Sequence, residues 1–185
     1  MIDRIIVKIF SALESIYWKS YYGICKRKGL VLGDGVVLRN GIDFGSEPFL
    51  IEINENSRVA KGVSFVNHSG GQMLIRCYEG YNDVRNFGRI KIGKNCFIGM
   101  NSIIQPNVHV GDNCIIGAGS LVTTSTLPNA VYGGVPAKYI CSLNEYLEKK
   151  KKESVLYPRE LEENRKELER YIAKNLPHIY KPVKK

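Results

Sequence analysis

The sequence predicts a mainly β fold, a parallel β-helix built from hexapeptide turns, with a helix at the N-terminus and helices at the C-terminus. Three observations predict it. Over residues 90–126 an aliphatic residue returns every sixth position, at Ile92, Ile98, Ile104, Val110, Ile116 and Val122. Glycine follows four of these six, at Gly93, Gly99, Gly111 and Gly117, and the residues four places after each aliphatic are small or medium: Cys96, Ser102, Val108, Cys114, Ser120 and Thr126. A period of six is neither the helical 3.6 nor the strand alternation of two, and a hexapeptide repeat is the signature of a parallel β-helix.

Each hexad supplies one short strand and one corner, and three hexads, about 18 residues, close one triangular coil. The aliphatic residue points into the prism and stacks on its counterpart one coil away. The residue four places on fills a tighter inner position. The glycine is expected to provide corner backbone angles that a Cβ would penalise. No coil buries its apolar edge alone, so several must stack. Buried strands of an α/β domain do not account for the pattern, because no helical periodicity lies between the strands.

Residues 1–30 form an N-terminal helical segment. Ile2, Ile5, Ile6, Ile9, Phe10, Leu13, Ile16 and Tyr17 share one broad face, and Lys8, Lys19, Lys26, Arg27 and Lys28 add basic character. A solenoid needs its terminal coil covered, so the segment is read as a cap; a helix lying on a membrane surface is the other reading. Residues 31–141 form the β-helix. Leu32, Leu38 and Phe44 keep period six, the register slips by three around Ser46-Glu47-Pro48, and Ile53, Val59 and Phe65 resume it. The repeat then stops until Ile90, and the polar, glycine-containing stretch 67–89 is read as a loop thrown out of one corner, with His68 at its root. Gly133-Gly134 and Pro136 make a tight turn in an extended wrap. Residues 142–185 form a helical extension. Ser142 and Glu145 make a capping-box pair that starts one helix; a second is expected to run from Pro158 to about Asn175 and to end at Pro177.

The net charge is +9, but 12 of the 27 Lys and Arg lie after Cys141, mixed with eight Glu. That reads as solvated helix surface. No basic-aromatic pattern of a single-strand nucleic-acid binder is present. Five cysteines with no C-x-x-C pair, Cys96 and Cys114 at inward repeat positions, and no secretory pattern at the N-terminus are read as reduced thiols in the cytoplasm. No apolar run is long enough to span a bilayer.

The run IGKNCFIGMNSIIQPNVHVGDNCIIGAGSLVT, followed by YGGVPAKYI, resembles the hexapeptide-repeat acetyltransferases, in particular their galactoside, maltose and polysaccharide O-acetyltransferase branch. The resemblance covers about residues 31–141. It implies a left-handed solenoid, an exception to the usual right-handed crossover. It also implies a homotrimer with active sites between neighbouring prisms, and acetyl-CoA as donor, without a metal. The family's catalytic histidine lies just past a run like VSFVNHSGG, which places that role on His68. Imidazole in general titrates near pH 6.5 and suits a base that takes a proton from an attacking hydroxyl. His109 occupies an outward repeat position and His178 lies in the tail, and neither is assigned a role.

For acetyl-CoA the resemblance implies Phe97, where the family often has Trp, together with Met100, Gly117, Ala118, Thr123 and Lys138. Met100 replaces a serine of the galactoside enzymes, so a backbone N–H would have to stabilise the oxyanion. Thr124 and Cys141 stand where the family often has Lys and Arg, which leaves Lys138 as the phosphate-facing cation. On the acceptor side the resemblance points to Asn40 and Asp43, while Asp83, Arg85 and Asn86 lie in the long loop. That loop is longer than in the small-sugar enzymes, which argues for a larger or different acceptor.

The function expected is O-acetylation of a sugar of a surface polysaccharide or its precursor. The alternatives are N-acetylation of an amino-sugar nucleotide, acetylation of an antibiotic, and a catalytically silent trimeric scaffold. Zinc-dependent chemistry on the same solenoid would need three histidine ligands, and the spacing of the three present argues against it. No nucleic-acid partner is expected.

Overall fold

The computed structural model describes residues 2–176. Its first compact unit ends at Leu143 and its second begins at Asn144. Three parallel sheets run along the first unit as the faces of a prism. One face stacks β1 (Val31–Leu32), β3 (Ile51–Ile53), β6 (Ile90–Ile92) and β9 (His109–Val110). The second stacks β2 (Val37–Leu38), β4 (Arg58–Val59), β7 (Phe97–Ile98), β10 (Ile115–Ile116) and β12 (Ala130–Gly133), with β13 (Lys138–Ser142) at its margin. The third stacks β5 (Ser64–Phe65), β8 (Ile103–Ile104) and β11 (Leu121–Val122), and an isolated bridge from Asp43 to Ser64 extends it. The chain therefore climbs through four coils, visiting each face in turn.

The core is the column of repeat aliphatics. Ile53, Ile92 and Val110 are fully buried on the first face, as are Ile98, Ile104 and Ile116 on the others. In the upper coils aromatics take over the third-face position: Phe44 stacks on Phe65 with ring centroids 5.3 Å apart and planes 12° from parallel. The tight inner positions hold Cys96, Ser102, Val108, Cys114 and Ser120, all buried. Their small polar heads satisfy corner carbonyls, as when Ser102 Oγ donates to Gly117 O (3.0 Å) and Cys114 Sγ to Leu127 O (3.0 Å).

The corner glycines work differently from the expectation. Gly93, Gly99, Gly111 and Gly117 are not among the residues at positive φ. Gly99 is needed for close approach instead, since a Cβ there would lie 2.5 Å from the backbone nitrogen of Ala118 one coil on. The left-handed corner residue comes three places after the inward aliphatic, and it is either asparagine (Asn56, Asn95, Asn101, Asn107, Asn113) or glycine (Gly35, Gly41, Gly62, Gly119). Asparagine tolerates that conformation better than other side chains. It also links coils, because Asn95 Nδ2 donates to Asn113 Oδ1 (3.0 Å) and Asn113 Nδ2 to Asn129 Oδ1 (2.9 Å).

Burial and reactivity diverge among the thiols. Burial pushes the Cys96 thiol up to about 11, and Cys25 and Cys114 are buried as well, whereas Cys77 is exposed. A thiol reagent at neutral pH will modify Cys77 first in the native protein, and Cys25, Cys96 and Cys114 only on unfolding; peptide mapping after timed labelling checks this.

The helix α1 (Ile2–Arg27) caps the solenoid with its last turns only. Tyr22 Oη donates to Arg39 O (2.6 Å) and accepts from Ile42 N, Tyr22 meets Phe44 edge-on, and Cys25 is buried. The cap reading fails for the apolar face it was based on: Ile2, Ile5, Ile6, Ile9, Phe10, Leu13, Ile16 and Tyr17 are all exposed. The reason is geometric. The residues that dock, Tyr21, Tyr22 and Cys25, lie on the other side of the helix.

The three-residue slip is a 3-10 turn over Pro48–Leu50. The stretch between β5 and β6 is a surface excursion containing one short helix, α2 (Gln72–Ile75). The extended wrap after β11 is an antiparallel hairpin of β12 and β13. Helix α3 (Leu143–Glu153) starts directly after Ser142, as the capping-box signal predicts. The second C-terminal helix is shorter than expected: a 3-10 turn spans Arg159–Glu163, and α4 (Arg165–Asn175) begins afresh. Asn164 causes the break, because its side chain caps Glu167 N and holds an extended backbone that cannot continue a helix. Pro177 and His178 lie outside the described residues.

Candidate active site

His68 sits on one edge of the prism, where the chain leaves the third face. Its Nδ1 lies 2.8 Å from Glu47 Oε2 and 3.2 Å from Asn67 Oδ1. The carboxylate is closer and charged, so the ring N–H at Nδ1 is directed chiefly to Glu47. In the neutral ring that arrangement leaves Nε2 as the unprotonated nitrogen, free to accept a proton. The His68 side chain is 35% exposed and that of Glu47 20%. The ring is thus reachable, and its partner carboxylate is more sheltered.

The local chain explains why these groups meet. Phe44 and Phe65 stack in successive coils, and Glu47 and His68 each lie three residues beyond them. They are therefore neighbours on the same edge. Asn67, 1% exposed, ties the two levels together: its Nδ2 donates to Phe44 O (3.0 Å) and Glu47 O (2.9 Å). Gly45, at φ 64°, completes the turn, its N–H donating to Asp43 Oδ1 (2.9 Å). Asp43 thus serves in this chain to shape the loop that presents Glu47. From the far end of the excursion Phe87 returns, bridging His68 through the backbone and standing 6.3 Å from its ring. Gln72 Oε1 accepts from Asn86 N (3.0 Å), so Asn86 belongs to the stem of the loop beside His68. Asp83 is exposed, and the Arg85 guanidinium donates to the carbonyls of Asn82 and Val84.

A second group lies elsewhere. Asn40, Phe97 and Met100 line a cavity of about 500 Å³ with Glu14, Arg39, Arg58 and Lys61, on the second face and the edge beyond it. Gly117 and Ala118 stack on the same edge, where Gly119 N donates to Met100 O (2.7 Å). Lys138 is exposed at the start of β13, opposite Gly133. Thr123 is exposed just past β11 on the third face. One chain thus places His68 and the Phe97–Met100–Ala118 strip on different edges. Among the described residues, no three of His, Cys, Asp and Glu come together as metal ligands.

Glu47, Asn67 and Phe87 are the members that sequence reasoning missed. The repeat register carried the signal for Glu47, since it aligns with His68 once the three-residue slip is allowed. Replacing Glu47 with Gln or Ala is expected to lower kcat by about 10-fold or more while leaving KM for both substrates within about 3-fold, the split that loss of orientation alone produces. Steady-state kinetics checks it.

The prism, its six-residue corners and a histidine held at the root of an excursion define a hexapeptide-repeat transferase. The family described as bacterial transferase hexapeptide (six repeats) matches residues 89–124. The chain is 49% identical over 125 residues to Protein CapG of Staphylococcus aureus, covering 68% of this chain and 71% of that one. Among solved structures, a maltose O-acetyltransferase from Clostridium difficile 630 superposes with a TM-score of 0.51 at 23% identity, over 68% of this chain and 75% of that one. A hexapeptide-repeat acetyltransferase from Vibrio cholerae gives 0.52 at 18% identity, over 68% and 81%. The chain belongs to the hexapeptide-repeat transferase family, and its prism has the left-handed parallel β-helix fold of the solved neighbours.

Proposed function

We propose that this protein is an acetyl-CoA-dependent O-acetyltransferase that modifies a sugar hydroxyl of a surface polysaccharide or its precursor, with His68 as general base. The observation that carries the reading is the His68–Glu47 pair at 2.8 Å, which fixes the ring so that Nε2 is the proton acceptor. When bound, acetyl-CoA supplies an activated acyl carbonyl and a thiolate leaving group. Nε2 takes the proton of the attacking hydroxyl, and Glu47 stabilises the imidazolium that results. The proton held at Nε2 is then available to the departing sulfur.

The residues present fit such a donor. Phe97, Met100 and Ile103 are exposed apolar side chains on the outside of the prism, suited to a pantetheine arm. A Cβ added at Gly119 would meet nothing within 4 Å, so the backbone there is open to a ligand. Lys138 offers a point charge to phosphate. The separation of His68 from this strip supports a homotrimer in which neighbouring prisms complete each site. A cytoplasmic location, where acetyl-CoA is available, goes with the reading.

The test is CoA-thiol release from acetyl-CoA across a panel of simple sugars, amino-sugar nucleotides and polysaccharide oligomers, with His68→Ala in parallel. Release that depends on a glycan hydroxyl and on His68 supports the proposal. Release only with an amino acceptor redirects it to N-acetylation. No release and no CoA binding leaves a trimeric scaffold.

A further inference from the structure

The N-terminal helix presents two unlike faces. At about 100° per residue, the docking residues Tyr21, Tyr22 and Cys25 cluster on one side with Trp18, which packs on the two tyrosines, and with Glu14 near them, 3.9 Å from Lys61 of the second coil. Roughly opposite lies an apolar arc of about 140° that runs through Ile2, Ile5, Ile9, Phe10, Leu13 and Ile16. Phe10 is 68% exposed and Ile16 62%. Aromatic side chains anchor the helix to the solenoid, so the arc contributes nothing to that junction. Lys8, Lys19 and Lys26 flank it on one side, all exposed and outside every ion pair among the described residues. The acidic residues Asp3 and Glu14 fall beyond the opposite border, next to the docking side.

We infer that α1 is a membrane-surface helix, whose arc of Ile2, Ile9, Phe10, Leu13 and Ile16 beds into the interface of an anionic bilayer while Lys8, Lys19 and Lys26 meet the lipid phosphates. No helix among the described residues is long and apolar enough to cross a membrane; the helix lies in the plane of the interface. Two features select a lipid surface over a second copy of the chain. A coiled-coil helix carries a narrow apolar seam, whereas this arc covers about two fifths of the circumference, a breadth a flat apolar medium accepts. The flanking cations have stems long enough to lie over the apolar layer with their charge at headgroup level, and their sign complements anionic lipid.

The test uses the full-length protein and vesicles of phosphatidylcholine alone or mixed with phosphatidylglycerol at about 3:1, where binding to the mixed vesicles should be about 10-fold the stronger or more. Ile9→Glu with Leu13→Glu should abolish sedimentation with either vesicle. Lys8→Glu with Lys19→Glu should remove the preference for the anionic one. Both variants change exposed residues away from the aromatic junction, so their thermal unfolding should match the parent. Failure of the parent protein to bind any vesicle overturns the inference, as does binding indifferent to both pairs of substitutions. A change in solution mass on Ile9→Glu with Leu13→Glu, in a protein that ignores vesicles, assigns the arc to contact between copies. None of these readouts needs acetyl transfer, so the inference stands or falls independently of the proposed activity.

Discussion

His68→Ala lowers turnover by about 100-fold or more, the usual scale for loss of a positioned general base. The expectation rests on where the side chain is and on what it does not touch. Its Nδ1 is committed to Glu47 at 2.8 Å, so truncation removes Nε2, the one ring nitrogen left to take a proton. The strip expected to hold acetyl-CoA lies on another edge, where Phe97 and Met100 line their own cavity. Acetyl-CoA affinity should therefore change by no more than about 3-fold, so the loss appears in kcat. Rapid-quench or continuous thiol-release kinetics on parent and variant decide the matter. A near-normal rate would remove His68 from the mechanism, and with it the role given to Glu47.

Phe65→Ala is the other large effect, and it acts on stability. Phe65 is 2% exposed and stacked between coils on Phe44, which in turn meets Tyr22 of α1. Truncating a buried aromatic of this kind costs about 3–5 kcal/mol, since lost contacts add to the cavity left behind. Against a typical domain stability of about 5–15 kcal/mol that is a large share. Urea unfolding at matched protein concentration measures it, the matching being required because assembly adds to apparent stability. A loss below about 1 kcal/mol would mean that the upper coils close over the gap. Asn67 lies two residues on, so the same substitution should also loosen the tie between the Phe44–Glu47 loop and His68.

The lower coils were legible because each one repeats the same demand. Ile92 must stack on Val110 and Ile98 on Ile116, and the spacing that achieves this is visible by eye. The three-residue slip and the long excursion were legible as departures from that spacing. The docking side of α1 was not. An apolar stripe ordinarily marks the buried face of a helix, and here aromatic side chains with hydroxyl partners do the packing instead. Tyr22 bonds Arg39 O and Ile42 N, and Tyr21 Oη accepts from Phe44 N. The break at Asn164 was also hidden, because a capping asparagine and a tolerated helix interior residue look alike in sequence. His68 was legible only through the family run around it. Its partner Glu47 needed the register carried backwards across an insertion, and Asn67 needed knowledge of which carbonyls come within reach.

The constancy of the coil has a consequence for distance. Neighbouring parallel strands lie about 4.8 Å apart, so every turn of the prism raises the chain by that fixed step. His68 leaves from the second coil, whereas the Gly117–Gly119 corner belongs to the fourth. Along the long axis the two stations are thus about 10 Å apart, a separation counted in whole turns. The solenoid works as a ruler: adding or removing 18 residues would reset the gap by one graduation while leaving every local contact alike. Evolution can retune the reach between His68 and the Gly117–Gly119 corner in such steps, with little risk to the fold that carries them.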